Sequence, residues 1–157
     1  MADRHVVDAS VAAKWFLRDA LERDVDLAEN LLRAALDGNL ELHVPGIFTF
    51  EVCNLLAKAC GKHPVKKAAR LTPTEACASV EDLHAMPLQI ADSSVKDKLR
   101  ALEMSATFSK LFYDMTYLCL AEKLDCQWIT ADARVLHALP STFPRHRVLL
   151  LSELRMP

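Results

Sequence analysis

Glycine is scarce, with 3 in 157 residues. Neither GxGxxG nor GxxxxGKS/T can be written on Gly38, Gly46 and Gly61, so a glycine-rich phosphate loop is disfavoured from the outset. The 5 cysteines (Cys53, Cys60, Cys77, Cys119 and Cys126) are odd in number and never spaced as CxxC. That argues against a disulfide framework and against a zinc site. They read as small buried hydrophobes in a reducing compartment. Positive charge is not in excess: the net charge is −2, so no global basic field would hold a nucleic acid, and a polyanion would need local basic patches or bridging cations. No apolar run approaches the length of a bilayer span. The N-terminus does not resemble a signal peptide, since a strand-like run begins by residue 5. A soluble cytoplasmic protein is expected. What is present, 52% hydrophobic and 25% charged residues, suits one globular domain over 1–157.

Strand-like runs are expected over 4–8, 40–44, 88–91, 127–130 and 148–151. Helices are expected over 9–17, 22–37, 46–60, 72–85, 93–104, 111–124 and 133–139. Leu27, Leu31, Ala34 and Ala35 give the second helix an apolar stripe, and Phe48, Val52, Leu55 and Ala59 give one to the third. Thr72-Pro73-Thr74-Glu75 combines a capping box with proline at the first helical position. Asp92 or Ser93 is expected to cap the helix that follows. Alternating strands and helices predict an α/β fold whose parallel sheet is covered on both faces.

Four acids stand among apolar neighbours: Asp8 after His5-Val6-Val7, Glu51 in Phe50-Glu51-Val52, Asp114 in Phe112-Tyr113-Asp114-Met115, and Asp132 after Trp128-Ile129-Thr130. An ionised carboxylate there is costly unless something compensates it. Taken singly, Asp8 and Asp132 also read as helix N-caps. Asp114 lies on an apolar helix face, and Glu51, in a helix starting near Gly46, has no capping role; its ordinary reading is an exposed edge or a pairing with Lys58. Taken together, Asp8 and Asp132 fall at carboxyl ends of strands, where open α/β sheets bind ligands, and Glu51 and Asp114 join them if their helices pack there. Four carboxylates in one pocket repel unless cations are bound. Hard oxygen donors without clustered His or Cys point to Mg²⁺ or Mn²⁺. Such ions, held by acids, activate water and neutralise the leaving oxygen in phosphodiester hydrolysis.

Val7-Asp8-Ala9-Ser10-Val11, Phe50-Glu51-Val52-Cys53-Asn54, Tyr113-Asp114-Met115-Thr116-Tyr117 and Thr130-Ala131-Asp132 resemble, in order and spacing, the PIN-domain ribonucleases, and above all the VapC-type toxins of toxin–antitoxin pairs. The resemblance runs over almost the whole chain. It implies a three-layer α/β/α sandwich with a central parallel sheet and an endoribonuclease dependent on Mg²⁺ or Mn²⁺. It makes Asp8, Glu51, Asp114 and Asp132 the catalytic, metal-binding acids. Ser10, Asn54 and Thr130 match accompanying polar positions that orient ligands or water. Some family members carry a further acid after the last motif; here Ala133, Arg134 and Val135 follow, so no fifth ligand is carried over. The resemblance further implies a homodimer held inactive by a small antitoxin protein.

Lys58, Lys62, Lys66, Lys67 and Arg70, with His63, form the densest basic run and are candidates for RNA phosphate contacts, although such a run is commonly just a solvated face. Arg134, Arg145 and Arg147 are weaker candidates. Lys14 stands at helical spacing from Ser10, and its direction is open. The histidines are scattered, and Trp15, Phe16, Tyr113, Tyr117 and Trp128 read as core. The competing class is a catalytically silent PIN-like module that binds RNA or protein; the four acids count against it. A haloacid-dehalogenase-like phosphatase would want an acid where Ser10 stands, and a response-regulator receiver would want a strand-end aspartate where Glu51 reads as helical.

Overall fold

Five short strands, each ending where a helix or turn begins, set the architecture. The computed structural model describes residues 3–65 and 67–155. The strands are β1 (Asp3–Val7), β2 (Leu40–Pro45), β3 (Leu88–Ala91), β4 (Gln127–Thr130) and β5 (Val148–Leu150). They form one parallel sheet in the order β3-β2-β1-β4-β5. The helices are α1 (Ala9–Phe16), α2 (Val25–Leu36), α3 (Phe48–Ala59), α4 (Pro73–Ala85), α5 (Val95–Phe108) and α6 (Phe112–Lys123). Val6, Val7, Leu42, Val44, Trp128 and Ile129 are fully buried, as central parallel strands covered on both faces require. Helix α6 lies against β1, β2 and β4 with α5 packed outside it, and α1 packs with α2, α3 and β4. The fold is an α/β/α sandwich, as expected.

The chain builds β1, β2 and β3 outward in one direction, then returns to place β4 on the other side of β1. The strand order therefore reverses between β1 and β4, and a crevice opens beyond their carboxyl ends. Four segments start at that edge: α1 after β1, α3 after β2, a 3-10 turn (Ala133–Leu136) after β4, and α6, which runs back toward the start of β4.

Several boundaries differ from the sequence reading. Helix α2 begins at Val25, because Asp24 takes a left-handed conformation (φ 56°) that stops an earlier start. Helix α5 is capped by Ser94, not by Asp92 or Ser93, since only Ser94 has the acid three residues on, Asp97, that completes a capping box; it then runs on to Phe108. The segment over 133–139 is a single 3-10 turn, ended by Ala138 at positive φ. The expected box at Thr72 forms, with Glu75 returning to the Thr72 backbone N–H at 2.7 Å. Only Cys119 and Cys126 are buried, and all five thiols are free. Tyr113, read as core, is 54% exposed, because the first turn of α6 rises clear of the sheet.

Candidate functional site

The two strand ends flanking the crevice are stitched together by hydroxyls. The Asp8 backbone N–H donates to the Ile129 carbonyl at 2.9 Å, aligning β1 with β4. Asp8 caps α1: its Oδ1 accepts from the Ser10 N–H at 2.9 Å. Its Oδ2 accepts from the Thr130 hydroxyl at 2.6 Å. Thr130 Oγ1 in turn accepts from the Asp132 N–H at 3.1 Å and lies 3.4 Å from Ser10 Oγ, while Ser10 Oγ accepts from the Ala131 N–H at 3.0 Å. Capping and site formation are thus compatible, because a carboxylate has about four acceptor positions and the cap uses one. Ser10 and Thr130, picked out from sequence, both lie in this network. Asn54 does not: it stands exposed one turn beyond Glu51 on α3, and among the described residues its side chain makes no hydrogen bond.

Glu51 and Asp114 enter from the helices. Because α3 begins at Phe48, Glu51 lies in its first turn, and Asp114 lies in the first turn of α6. The sequence reading gave Glu51 no terminal role; the structure places it where helix N–H groups offset negative charge. Asp8 and Asp132 cap their own segments, so each of the four acids meets a helical N-terminus. Glu51 takes no partner from Lys58. Its Oε2 accepts from the Tyr117 hydroxyl at 2.5 Å, and the Tyr117 ring stacks on Trp128 with centroids 5.8 Å apart. Tyr117 is core, as read, but its polar tip belongs to the site. Tyrosine in place of phenylalanine, three residues after Asp114 on a buried helix, is the signal in the sequence.

The four carboxyls feel one another. Burial pushes Asp114 up to about 6, assisted by the charges of Asp8, Asp132 and Glu51 and opposed by Arg134. Burial also raises Asp8, against the hydrogen bonds from Thr130 and Ser10 and with help from the Asp132 charge. Burial raises Glu51 against the Tyr117 bond, and the Asp8 charge adds to it. Asp132 departs from this pattern. Arg134 grips both of its oxygens, Nε to Oδ1 at 2.8 Å and Nη2 to Oδ2 at 2.7 Å, and the Arg134 N–H donates to Oδ1 at 2.9 Å. These hydrogen bonds hold Asp132 below its ordinary value, against burial.

Beside the acids runs a cleft of ≈ 490 Å³ whose walls include Ser10, Lys14, Lys58, Lys62, Asp132 and Arg134. Lys58 and Lys62 line it without an ion-pair partner among the described residues, whereas Arg70, also on its wall, is engaged by Asp19 (2.9 Å) and Glu22 (2.8 Å). Lys14 is buried and pairs with Glu22 at 2.9 Å. Lys67 is exposed, and Lys66 lies outside the described residues.

The donor chemistry suits a hard divalent cation: carboxylates only, mutually repelling, on one edge of the sheet. Among the described residues, no three His, Cys, Asp or Glu side chains yet gather closely enough to cage an ion. Two of the acids are held by neighbours, Glu51 by Tyr117 and Asp132 by Arg134.

The PIN domain family matches residues 5–140, a span that contains all four acids and ends before β5. The chain belongs to the PIN-domain family. Solved structures share its PIN fold. A toxin–antitoxin complex from Klebsiella pneumoniae aligns with a TM-score of 0.61 at 14% identity, covering 96% of this chain and 99% of that one. VapC20 of Mycobacterium tuberculosis, a toxin that cleaves the sarcin-ricin loop, aligns at 0.60 and 17% identity over 89% and 99%. VapBC2 of Rickettsia felis, bound to a DNA fragment from its promoter, aligns at 0.62 and 13% identity over 94% and 98%. Among curated proteins, none matches this PIN-domain chain in sequence. No helix among its described residues is long and apolar enough to cross a membrane.

Proposed function

We infer that this chain is a metal-dependent endoribonuclease, a single PIN domain over 1–157 acting in the cytoplasm as the toxin of a toxin–antitoxin pair. One observation carries the reading: in a PIN-family chain, four acids from four segments lie at the sheet's reversal point, where burial and the charges of Asp8, Asp132 and Glu51 together push Asp114 up to about 6. Asp8, Glu51, Asp114 and Asp132 are its metal ligands, for Mg²⁺ or Mn²⁺. An ion held by these carboxylates would supply an activated water and offset charge at the scissile phosphate. Thr130 and Ser10 fix the Asp8 carboxylate against the Asp132 backbone, so the two strand-end acids keep one spacing. Tyr117 fixes the rotation of Glu51. Asn54, exposed beside them, orients water or substrate. Lys58 and Lys62 hold RNA phosphates along the cleft and Arg70 supports its wall, with Lys66 and Lys67 as further candidates for phosphate contact. Two of the similar structures contain an antitoxin, which supports a small protein partner for this chain, and a homodimer is the assembly proposed for the toxin.

A second reading, a silent module that binds RNA or protein, draws on the absence of a preformed three-donor cage among the described residues. One experiment separates the two. Structured and single-stranded RNA is incubated with the chain in Mg²⁺, Mn²⁺ or EDTA, beside Asp8→Asn and Asp114→Asn. Cleavage that needs the cation and falls at least about a hundredfold in both variants is expected. RNA binding without cleavage or Mn²⁺ binding would favour the silent module.

A further inference from the structure

The Arg134–Asp132 fork stands apart from the other contacts of the site. Asp8 and Glu51 accept from neutral hydroxyls and Asp114 has no hydrogen-bond partner among the described residues, whereas Asp132 has both oxygens taken by a guanidinium. The Arg134 side chain is 90% exposed, and among the described residues Asp132 is its sole hydrogen-bond partner. A side chain so exposed has little to hold it in place, and an ion pair so open is weak. Arg134 also lies within electrostatic reach of Asp114, so its charge offsets two of the four acids. Its other surroundings are basic: it shares the cleft with Lys58 and Lys62.

We propose that Arg134 is a displaceable counter-ion: it occupies the Asp132 carboxylate until a divalent cation takes that carboxylate over, and the released guanidinium then holds a phosphate of the nucleic acid in the adjoining cleft. The inference rests on the four-acid metal site described above. Its physical basis is competition for one carboxylate. A cation and a guanidinium cannot both occupy the same two oxygens, and a monovalent fork in open solvent yields to a divalent ion with three further acids to bind. Once freed, Arg134 is a planar five-donor group at the junction of the acids and the basic cleft, suited to bidentate contact with phosphate. In the proposed ribonuclease Arg134 is thus a positioning residue for Asp132 and a binding residue for the substrate backbone.

The two halves of this role predict opposite signs for one substitution. In Arg134→Gln, Mn²⁺ binding, read by electron paramagnetic resonance, tightens by about three- to tenfold, because the competing charge is gone. At saturating Mn²⁺, the affinity for a short single-stranded oligodeoxynucleotide, which presents phosphates, weakens by about three- to tenfold at low salt. Arg134→Lys, which keeps the charge and loses the fork, falls between. In an Asp132→Asn background the effect of Arg134→Gln on Mn²⁺ shrinks to within about twofold, since the carboxylate they contest is absent. Both affinities weakening together would make Arg134 a structural support for the loop and overturn the proposal. Unchanged Mn²⁺ affinity would overturn it while leaving the metal site intact. No Mn²⁺ binding by either form would overturn the four-acid reading itself and the proposal with it.

Discussion

Two charge clusters flank the same cleft, and they are built on opposite rules. In the first, Lys14 and Arg70 meet Asp19 and Glu22, two bases against two acids, with contacts of 2.8 to 2.9 Å. Burial works against the Glu22 charge, but the hydrogen bonds and charges of Lys14 and Arg70 win, and its carboxyl is held below the ordinary range. In the second, Asp8, Glu51, Asp114 and Asp132 face one exposed Arg134, and Asp114 is driven up to about 6. The acids and bases of the first cluster hold one another and tie the α1–α2 connection to the segment after α3. The second leaves acids in excess, an imbalance that the proposed cation would offset. Balanced ionic groups of this kind serve the fold, while an unbalanced set at a sheet's reversal point marks a site.

Removing a base from the balanced cluster should have the larger effect on stability. Arg70→Ala removes the guanidinium from Asp19 and Glu22, whose side chains are mostly out of solvent, and Glu22 keeps Lys14. Losing charge-assisted hydrogen bonds to two partly buried carboxylates is expected to cost about 2 kcal/mol, read by urea denaturation. A loss under about 0.5 kcal/mol would show that water already screens the pair and would erase the contrast.

In the unbalanced cluster, removing a charge should stabilise. Burial and the charges of Asp8, Asp132 and Glu51 raise Asp114 from 3.8 to about 6. Between those values the folded chain binds more protons than the unfolded chain, so stability falls as pH rises through the window, and the full penalty is present above about 6. Asp8 and Glu51, also raised, act in the same direction. Glu22 and Asp132, held below their ordinary values, act in the opposite direction at lower pH. In EDTA, Tm should therefore drop from about pH 4 to about pH 6, and millimolar Mn²⁺ should restore it at neutral pH. Asp114→Asn should flatten the drop and add about 1 kcal/mol at pH 7, already discounted for solvent around a half-buried group, while removing the proposed cleavage. A variant less stable than the parent at pH 7 in EDTA would mean that the acids do not repel.

The unbalanced cluster was more legible in the sequence than the balanced one. Asp8 and Asp132 each end an apolar strand run, and Asp114 interrupts an apolar helix, so local pattern alone makes them conspicuous. The five strands and their order along the chain were visible for the same reason. The partnership of Arg70 with Asp19 spans 51 residues and depends on how α3 lies on α1, which no local pattern encodes. Arg70 accordingly read as one more base in a run. Arg134 read as a weak phosphate contact because its grip on Asp132 is a matter of side-chain rotation two residues away. Helix ends were the poorest reading: starting α3 at Gly46 instead of Phe48 hid the first-turn position of Glu51.

The smallest expected effect tests the seam between the two kinds of region. Tyr117 belongs to the core by its ring, which is stacked on Trp128, and to the site by its hydroxyl, bonded to Glu51. Tyr117→Phe keeps the ring and removes the bond. Glu51 is half-buried and reaches water, so the lost hydrogen bond should cost only about 0.5 to 1 kcal/mol. The Tyr117 hydroxyl is also what lowers the Glu51 carboxyl against burial, so removing it should raise that carboxyl further. Mn²⁺ competes with a proton there, and its binding at pH 6 should weaken by a few fold in Tyr117→Phe, with a smaller difference at pH 8. Equal weakening at both pH values would mean that the hydroxyl acts on the position of Glu51 alone, and Tyr117 would then count with Ser10 and Thr130 as a group that sets ligand geometry.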